Sequence, residues 1–205
     1  MTLPLFDDEP PIDLINNDGI VTCWQALLLD DEAYALFDEL LNSPNWRQES
    51  ITVYDKRHLQ PRLTAWFGEY GVSADGGYQK LYQTVMFTPR LLMLKNKIEA
   101  MTGYRFNCVL ANLYRDGQDS VGYHADNERI LGVNPVIASY SLGETRCFIL
   151  KHNQDKLQKA TCKLQHNSLL LMHGALQHHW QHCITKTQRP VAPRINLTFR
   201  LIKPF

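Results

Sequence analysis

From Gly103 onward the chain carries no helical period. "YRFNCVLANLYRDG", "PVIASYSLG", "TRCFILKH", "ATCKLQHNSLLLMHG" and "PRINLTFRLI" follow one another as short β-rich segments separated by turn signals. Such a run leaves few solutions: an antiparallel sandwich or barrel, each strand burying at least one face. The last segment sharpens the constraint. In "RINLTFR", Ile195, Leu197 and Phe199 take one face while Arg194, Asn196, Thr198 and Arg200 take the other. On an open sheet the polar face meets water. Turned into a barrel, it buries two guanidiniums, a heavy desolvation cost unless an anion meets them.

Two helices are legible ahead of the strands. After Asp30 and Asp31, apolar residues fall at Ala33, Leu36, Phe37, Leu40 and Leu41, and the stripe stops before Pro44. In the second, Thr88 can cap, Pro89 suits the first helical position, Leu91, Leu94, Ile98 and Met101 form the stripe, and Gly103 suits the stop. The predicted class is α+β with a mainly β core. We expect an acidic, mobile leader over residues 1–20 and a single domain over 21–205, divided into helices and hairpins (21–103) and the β core (104–205).

Composition enters as a set of exclusions. At 205 residues and 44% hydrophobic, the chain can core one domain. Apolar runs such as Ser168 to Met172 are too short to span a bilayer, and the N-terminus has acids where a signal peptide needs bases. No membrane association and a cytoplasmic, reducing setting are expected. Five scattered cysteines without a Cys-x-x-Cys pair fit reduced core thiols. The net charge is zero, but residues 1–39 hold ten of the 21 acids and no Lys or Arg, leaving residues 40–205 at +10. A basic body permits phosphate contacts; ordinary solvated charge is the alternative.

"VGYHADNE" sets His124 and Asp126 two apart, on one side of a strand and able to grip one ion. A third ligand is available among His173, His178, His179 and His182 in "HGALQHHWQHCI". Two histidines and a carboxylate leave three octahedral positions open, as in non-haem iron(II) oxygenases; a hydrolytic zinc site can use the same set. The arginines favour iron, because a dicarboxylate co-substrate chelating the metal offers its second carboxylate to an arginine fork. Asn112 and Tyr114, on one face of "LANLY", could hydrogen-bond that ligand.

"NLYRDG", "YHADNE", "IASYSLG", "HWQHCI" and "PRINLTFR", in this order over about residues 104–202, resemble the AlkB family of iron(II)- and 2-oxoglutarate-dependent dioxygenases, nearest the branch that repairs alkylated bases. The resemblance implies a double-stranded β-helix (jelly roll) with the N-terminal helices packed on it. It implies His124, Asp126 and His182 as ligands of Fe(2+), and Asn112, Tyr114, Arg194, Asn196 and Arg200 around 2-oxoglutarate. No catalytic residue beyond the metal centre is implied. O2 is consumed, N-methyl groups are oxidatively removed from bases of the 1-methyladenine and 3-methylcytosine type, and ascorbate serves as reductant in vitro. Gln181 and Cys183 depart from the residues expected beside His182.

On the substrate side, "SITVYDKRHLQPR" resembles the family's base-flipping hairpin, with Tyr54 at the intercalating position. Tyr78 and Tyr82 lie where an aromatic wall is expected, and Asn127 and Glu128 match positions near the base, with Asn127 replacing an acid. Lys151, Lys156, Lys159 and Lys163 surround a turn that the family uses to hold the phosphate backbone. The expected partner is nucleic acid, DNA or also RNA, and the chain is expected to be a monomer. The alternatives are the same cofactors acting on protein or lipid, and a noncatalytic binding module; filled metal and co-substrate positions disfavour the latter.

Overall fold

A computed structural model describes residues 10–53, 55–69, 73–75 and 81–203. The helices are α1 (Asp30–Leu41), α2 (Pro89–Thr102) and the single turn α3 (Leu176–His179). The first strands are β1 (Ile12–Ile15), β2 (Ile20–Trp24), β3 (Ser50–Val53), β4 (Lys56–Leu59), β5 (Leu63–Gly68), β6 (Ser73–Asp75), β7 (Leu81–Gln83) and β8 (Val85–Met86). There follow β9 (Cys108–Tyr114), β10 (Val121–His124), β11 (Ile137–Gly143), β12 (Arg146–His152), β13 (Lys159–Leu164), β14 (Ser168–His173), β15 (Trp180–Ile184) and β16 (Arg194–Arg200).

Eight strands form one sheet in the order β1-β2-β14-β11-β16-β9-β5-β8, and four form a second, β10-β15-β12-β13, while β3-β4 and β6-β7 are separate hairpins. Pairing is antiparallel except between β5 and β8. This jelly-roll arrangement is the expected fold class. Its central strand settles the question that "RINLTFR" poses: all seven residues of β16 are buried. Ile195, Leu197 and Phe199 join a cluster with Leu36 and Leu40 of α1 and Leu91, Leu94 and Ile98 of α2, each such side chain worth about 1.5–3 kcal/mol. The polar residues of β16 face the space between the sheets. Phe148, Leu150 and Ile184 of the smaller sheet close a second cluster there with Leu170 and Met172.

The helix signals act as read. Thr88 Oγ1 accepts from the Leu91 N–H at 3.3 Å, and Gly103, at φ 75°, donates its N–H to Glu99. α1 begins with three acids in its first turn, and Glu32 accepts from the Leu29 N–H at 3.2 Å. Two readings change. Met101 is 40% exposed; the C-terminal half of α2 instead buries Lys95 and Glu99, an ion pair at 3.1 Å, and Glu99 also accepts from the Phe106 N–H. And residues 12–15, inside the expected leader, are a sheet edge: β1 pairs with β2, Ile15 is buried, and Thr22 donates to Asp13 at 2.8 Å. Among the described residues no helix is long and apolar enough to cross a membrane.

Candidate metal centre and co-substrate pocket

A cavity of about 610 Å³ lies between the two sheets, lined by the polar face of β16, by Asn112 and Tyr114 of β9, and by His124, Asp126 and His182. The candidate metal-ligating group assembles through strand register. β10 pairs with β15 so that His124 stands opposite His182, their rings 4.3 Å apart between centroids. Asp126 sits two residues beyond the end of β10 rather than on the strand, yet its carboxylate and the two imidazoles each present a donor atom within 4.8 Å of the others. The His124 Nδ1–H donates to the Gly122 carbonyl at 2.9 Å, which frees Nε2 as a lone-pair donor.

Electrostatics suits a divalent cation. Burial, reinforced by the neighbouring His124, pushes His182 down to about 3, so its ring is the neutral, ligating form at ordinary pH. Burial alone would raise the Asp126 carboxyl, but Arg200, His182, His124 and Arg62 together hold it below its ordinary value. The other three candidate histidines are placed elsewhere. His173 meets Tyr104 Oη at 3.4 Å, His178 is exposed, and His179 groups with Asp18 and His152.

The lowered value of His182 carries a pH dependence. Below its ordinary 6.5 the unfolded chain takes up a proton that the folded, metal-free chain refuses until about 3. Stability is therefore lost as pH falls through that window. We expect the unfolding free energy of metal-free protein to fall less steeply between those limits in His182→Gln; equal slopes would mean that the ring is not desolvated.

The five expected co-substrate residues meet on two adjacent strands. Arg194 stands opposite Tyr114, and Asn196 opposite Asn112, across the β9–β16 ladder. Asn196 is held by Ser139 Oγ at 2.8 Å and the Tyr140 carbonyl at 3.2 Å. Arg194, 1% exposed, donates from Nη2 to Ser141 Oγ at 2.9 Å and lies 5.3 Å from the Tyr114 ring centroid, while its Nε and Nη1 have no partner. Burial lowers it to about 10, still protonated at neutral pH. A buried cation that lines a polar cavity with two unpartnered nitrogens fits a carboxylate. Arg200 differs, since it pairs with the Asp126 carboxylate and, at 3.4 Å, with Glu128, leaving Nε without a partner.

Asn127 and Glu128 both line the cavity. Tyr54 and Tyr78 lie outside the described residues, as does the side chain of Tyr82. In the β12–β13 hairpin Lys151 stands opposite Lys159, and its Nζ lies 3.9 Å from the Tyr123 ring centroid. Two contributors escape sequence reading. Arg62 follows the β3–β4 hairpin and donates to Asn112 Oδ1 at 2.8 Å. Gln177, 2% exposed on α3, accepts the Asp126 N–H at 2.8 Å. No local pattern marks either; each is defined by a partner distant in sequence. Gln177→Leu would leave the Asp126 amide unsatisfied and its carboxylate less firmly aimed, and we expect cobalt(II) affinity at the triad to drop about 10–100-fold. Unchanged affinity would make Gln177 a packing residue only.

Comparison with known proteins places this geometry. The 2OG-Fe(II) oxygenase superfamily profile matches residues 20–200. "Alpha-ketoglutarate-dependent dioxygenase alkB homolog 3" of Bos taurus is 41% identical over 183 residues, covering 84% of this chain and 63% of the relative. The Homo sapiens protein of that name is 39% identical with the same coverage. "DNA oxidative demethylase ALKBH2" of Bos taurus is 32% identical over 200 residues, 93% of this chain and 72% of the relative. The chain thus spans less than two thirds of the alkB homolog 3 relatives. A solved structure, "The structure of OsALKBH1", shares the fold with a TM-score of 0.63 at 15% identity, over 94% of this chain and all of that one.

Proposed function

The chain belongs to the 2OG-Fe(II) oxygenase superfamily and to the AlkB family within it, and on that premise we propose an oxidative demethylase of nucleic-acid bases, acting on lesions of the 1-methyladenine and 3-methylcytosine type. The observation that carries it is the join of two features in one cavity: a His124, Asp126, His182 donor set and the unpartnered nitrogens of Arg194. A hydrolytic zinc site has no use for the second.

In this reading His124, Asp126 and His182 hold iron(II), and Arg194 with Tyr114 receives the distal carboxylate of 2-oxoglutarate, with Asn112 and Asn196 beside it. When bound, iron(II) and 2-oxoglutarate supply the oxygen-activating chemistry, with succinate and carbon dioxide as the co-substrate's products. The protein's own work is orientation. Gln177 and Arg200 fix Asp126 from two sides, Gly122 fixes the His124 tautomer, and the buried walls keep His182 unprotonated. Asn127 and Glu128, at the cavity wall, are among the polar groups available to a base.

The test is a panel of methylated DNA and RNA oligonucleotides incubated with iron(II), 2-oxoglutarate and ascorbate and read by mass spectrometry. Loss of a methyl mass from N1-methyladenine or N3-methylcytosine supports the proposal. Succinate formation stimulated by a protein or lipid and by none of the oligonucleotides would replace it. Tyr54 is assigned to base extrusion, which is costly in a duplex and cheap in a single strand. Tyr54→Ala should therefore lower turnover on a methylated duplex well beyond that on the same lesion in a single strand. Equal losses on both would point to stacking on the base itself.

A further inference from the structure

Outside the cavity a second cluster of metal-type donors forms, and none of its members lines the first. Asp18 in the β1–β2 turn, His152 at the end of β12 and His179 at the end of α3 each present a donor atom within 4.8 Å of the others. His152 Nε2 lies 3.3 Å from Asp18 Oδ2. That spacing is what a tetrahedral ion imposes, since bonds of about 2.0–2.2 Å set neighbouring donors about 3.3 Å apart. His152 is 7% exposed, and its buried Nε2, although 3.3 Å from Asp18 Oδ2, makes no aligned hydrogen bond, an arrangement that an interior normally avoids.

The three elements are braced against one another before any ion arrives. The Asn153 N–H donates to the His179 carbonyl at 2.7 Å, and its side-chain amide donates to the His178 carbonyl at 2.9 Å. Trp180 Nε1 donates to the Asn17 carbonyl at 3.2 Å, and Gly19 sits so tightly on α3 that a Cβ would come within 2.5 Å of Leu176 Cα. The rings of His152 and His179 are nearly parallel, with centroids 6.0 Å apart. His179 is only half-buried, so its ring can turn the last fraction of the way. Asp18, its side chain 44% exposed, leaves one side of the cluster open to water.

We propose that Asp18, His152 and His179 form a second metal site, for a zinc-type divalent transition ion, with water in the fourth position, which clamps the β1–β2 turn to the β12–β13 hairpin. Two imidazoles and one carboxylate select zinc-type ions over calcium or magnesium, which prefer all-oxygen shells. Binding has one local cost. The Asp155 N–H donates to His152 Nδ1 at 3.0 Å, so Nε2 carries the ring proton in the ion-free protein. Ligation moves that single proton to Nδ1 and breaks the Asp155 bond, one hydrogen bond set against three metal bonds. The ion therefore reshapes the hairpin tip as it binds.

The experiment uses the full chain carrying His124→Ala and Asp126→Ala, which removes two of the three donors in the cavity. Zinc(II) alone is titrated by competition with a chromophoric chelator, and thermal unfolding is followed with and without it. We expect one equivalent bound and a raised unfolding midpoint. Adding either Asp18→Asn or His179→Ala should weaken binding at least 10–100-fold and abolish the shift, with the metal-free midpoint unchanged. No zinc bound by the background protein, or binding and a shift that survive both added substitutions, overturns the proposal.

Discussion

His182→Ala is expected to abolish iron(II) binding and turnover while the sandwich stays folded. The imidazole is one of three donors, and two donors on one side of a cavity hold a divalent ion weakly. The strand that carries it does not depend on it. β15 is paired along both edges, to β10 and to β12, through backbone hydrogen bonds that an alanine keeps, and Trp180 and Ile184 remain in the core. Circular dichroism should be near wild type when cobalt(II) no longer gives its bound absorption in the visible. His179→Ala is the matched control, three residues earlier in the chain and directed to a different cluster; it should retain the cavity ion and measurable turnover. The reverse pattern, with the cavity metal lost in His179→Ala and kept in His182→Ala, would overturn the ligand assignment.

Why the ligand choice needed more than spacing can be read from the strands. "VGYHADNE" advertises a His-x-Asp pair, but four imidazoles compete for the third place; spacing alone leaves them open, the family resemblance points to His182, and the β10–β15 register sets that residue opposite His124. Register is a property of two segments far apart in the chain, and no local period encodes it. The same limit hides β1: four residues of modest character become a strand only because β2 offers an edge. α2 was legible almost to the residue, because caps act within a few positions of themselves, while its last turn was misread at Met101. In the same half of the helix the burial of Lys95 and Glu99 rests on a network reaching Glu69, Arg105 and the Phe106 amide, which apolar patterning cannot anticipate. Arg62 and Gln177 failed to show for the same reason. What did show was β16, since alternation of two arginines with three large apolar residues has few uses once both faces must be buried.

Arg194→Met is expected to raise the 2-oxoglutarate KM steeply and, with no co-substrate present, to stabilise the protein. The two signs come from one feature. Arg194 is 1% exposed, one nitrogen donates to Ser141, and the other two, beside the Tyr114 ring, make no aligned hydrogen bond. Taking a guanidinium out of water without full compensation costs stability, and an apolar chain of similar length avoids that cost, a gain of about 1–4 kcal/mol where buried charges have been replaced. For a chain of this size each kcal/mol moves the unfolding midpoint by about 2–4 °C, so metal-free Arg194→Met should melt at least about 2 °C above wild type. Adding 2-oxoglutarate with a redox-inert divalent ion should reverse the order. A carboxylate that closes on Arg194 supplies the anion this buried guanidinium lacks, and truncating one partner of such a buried pair costs about 2–5 kcal/mol. At about 1.4 kcal/mol per tenfold, KM should rise about 30-fold or more. Arg194→Lys, which keeps the charge but loses the planar fork, should fall between. A variant that melts lower than wild type and binds 2-oxoglutarate equally well would make Arg194 a structural cation, and its unpartnered nitrogens would need another anion to explain them.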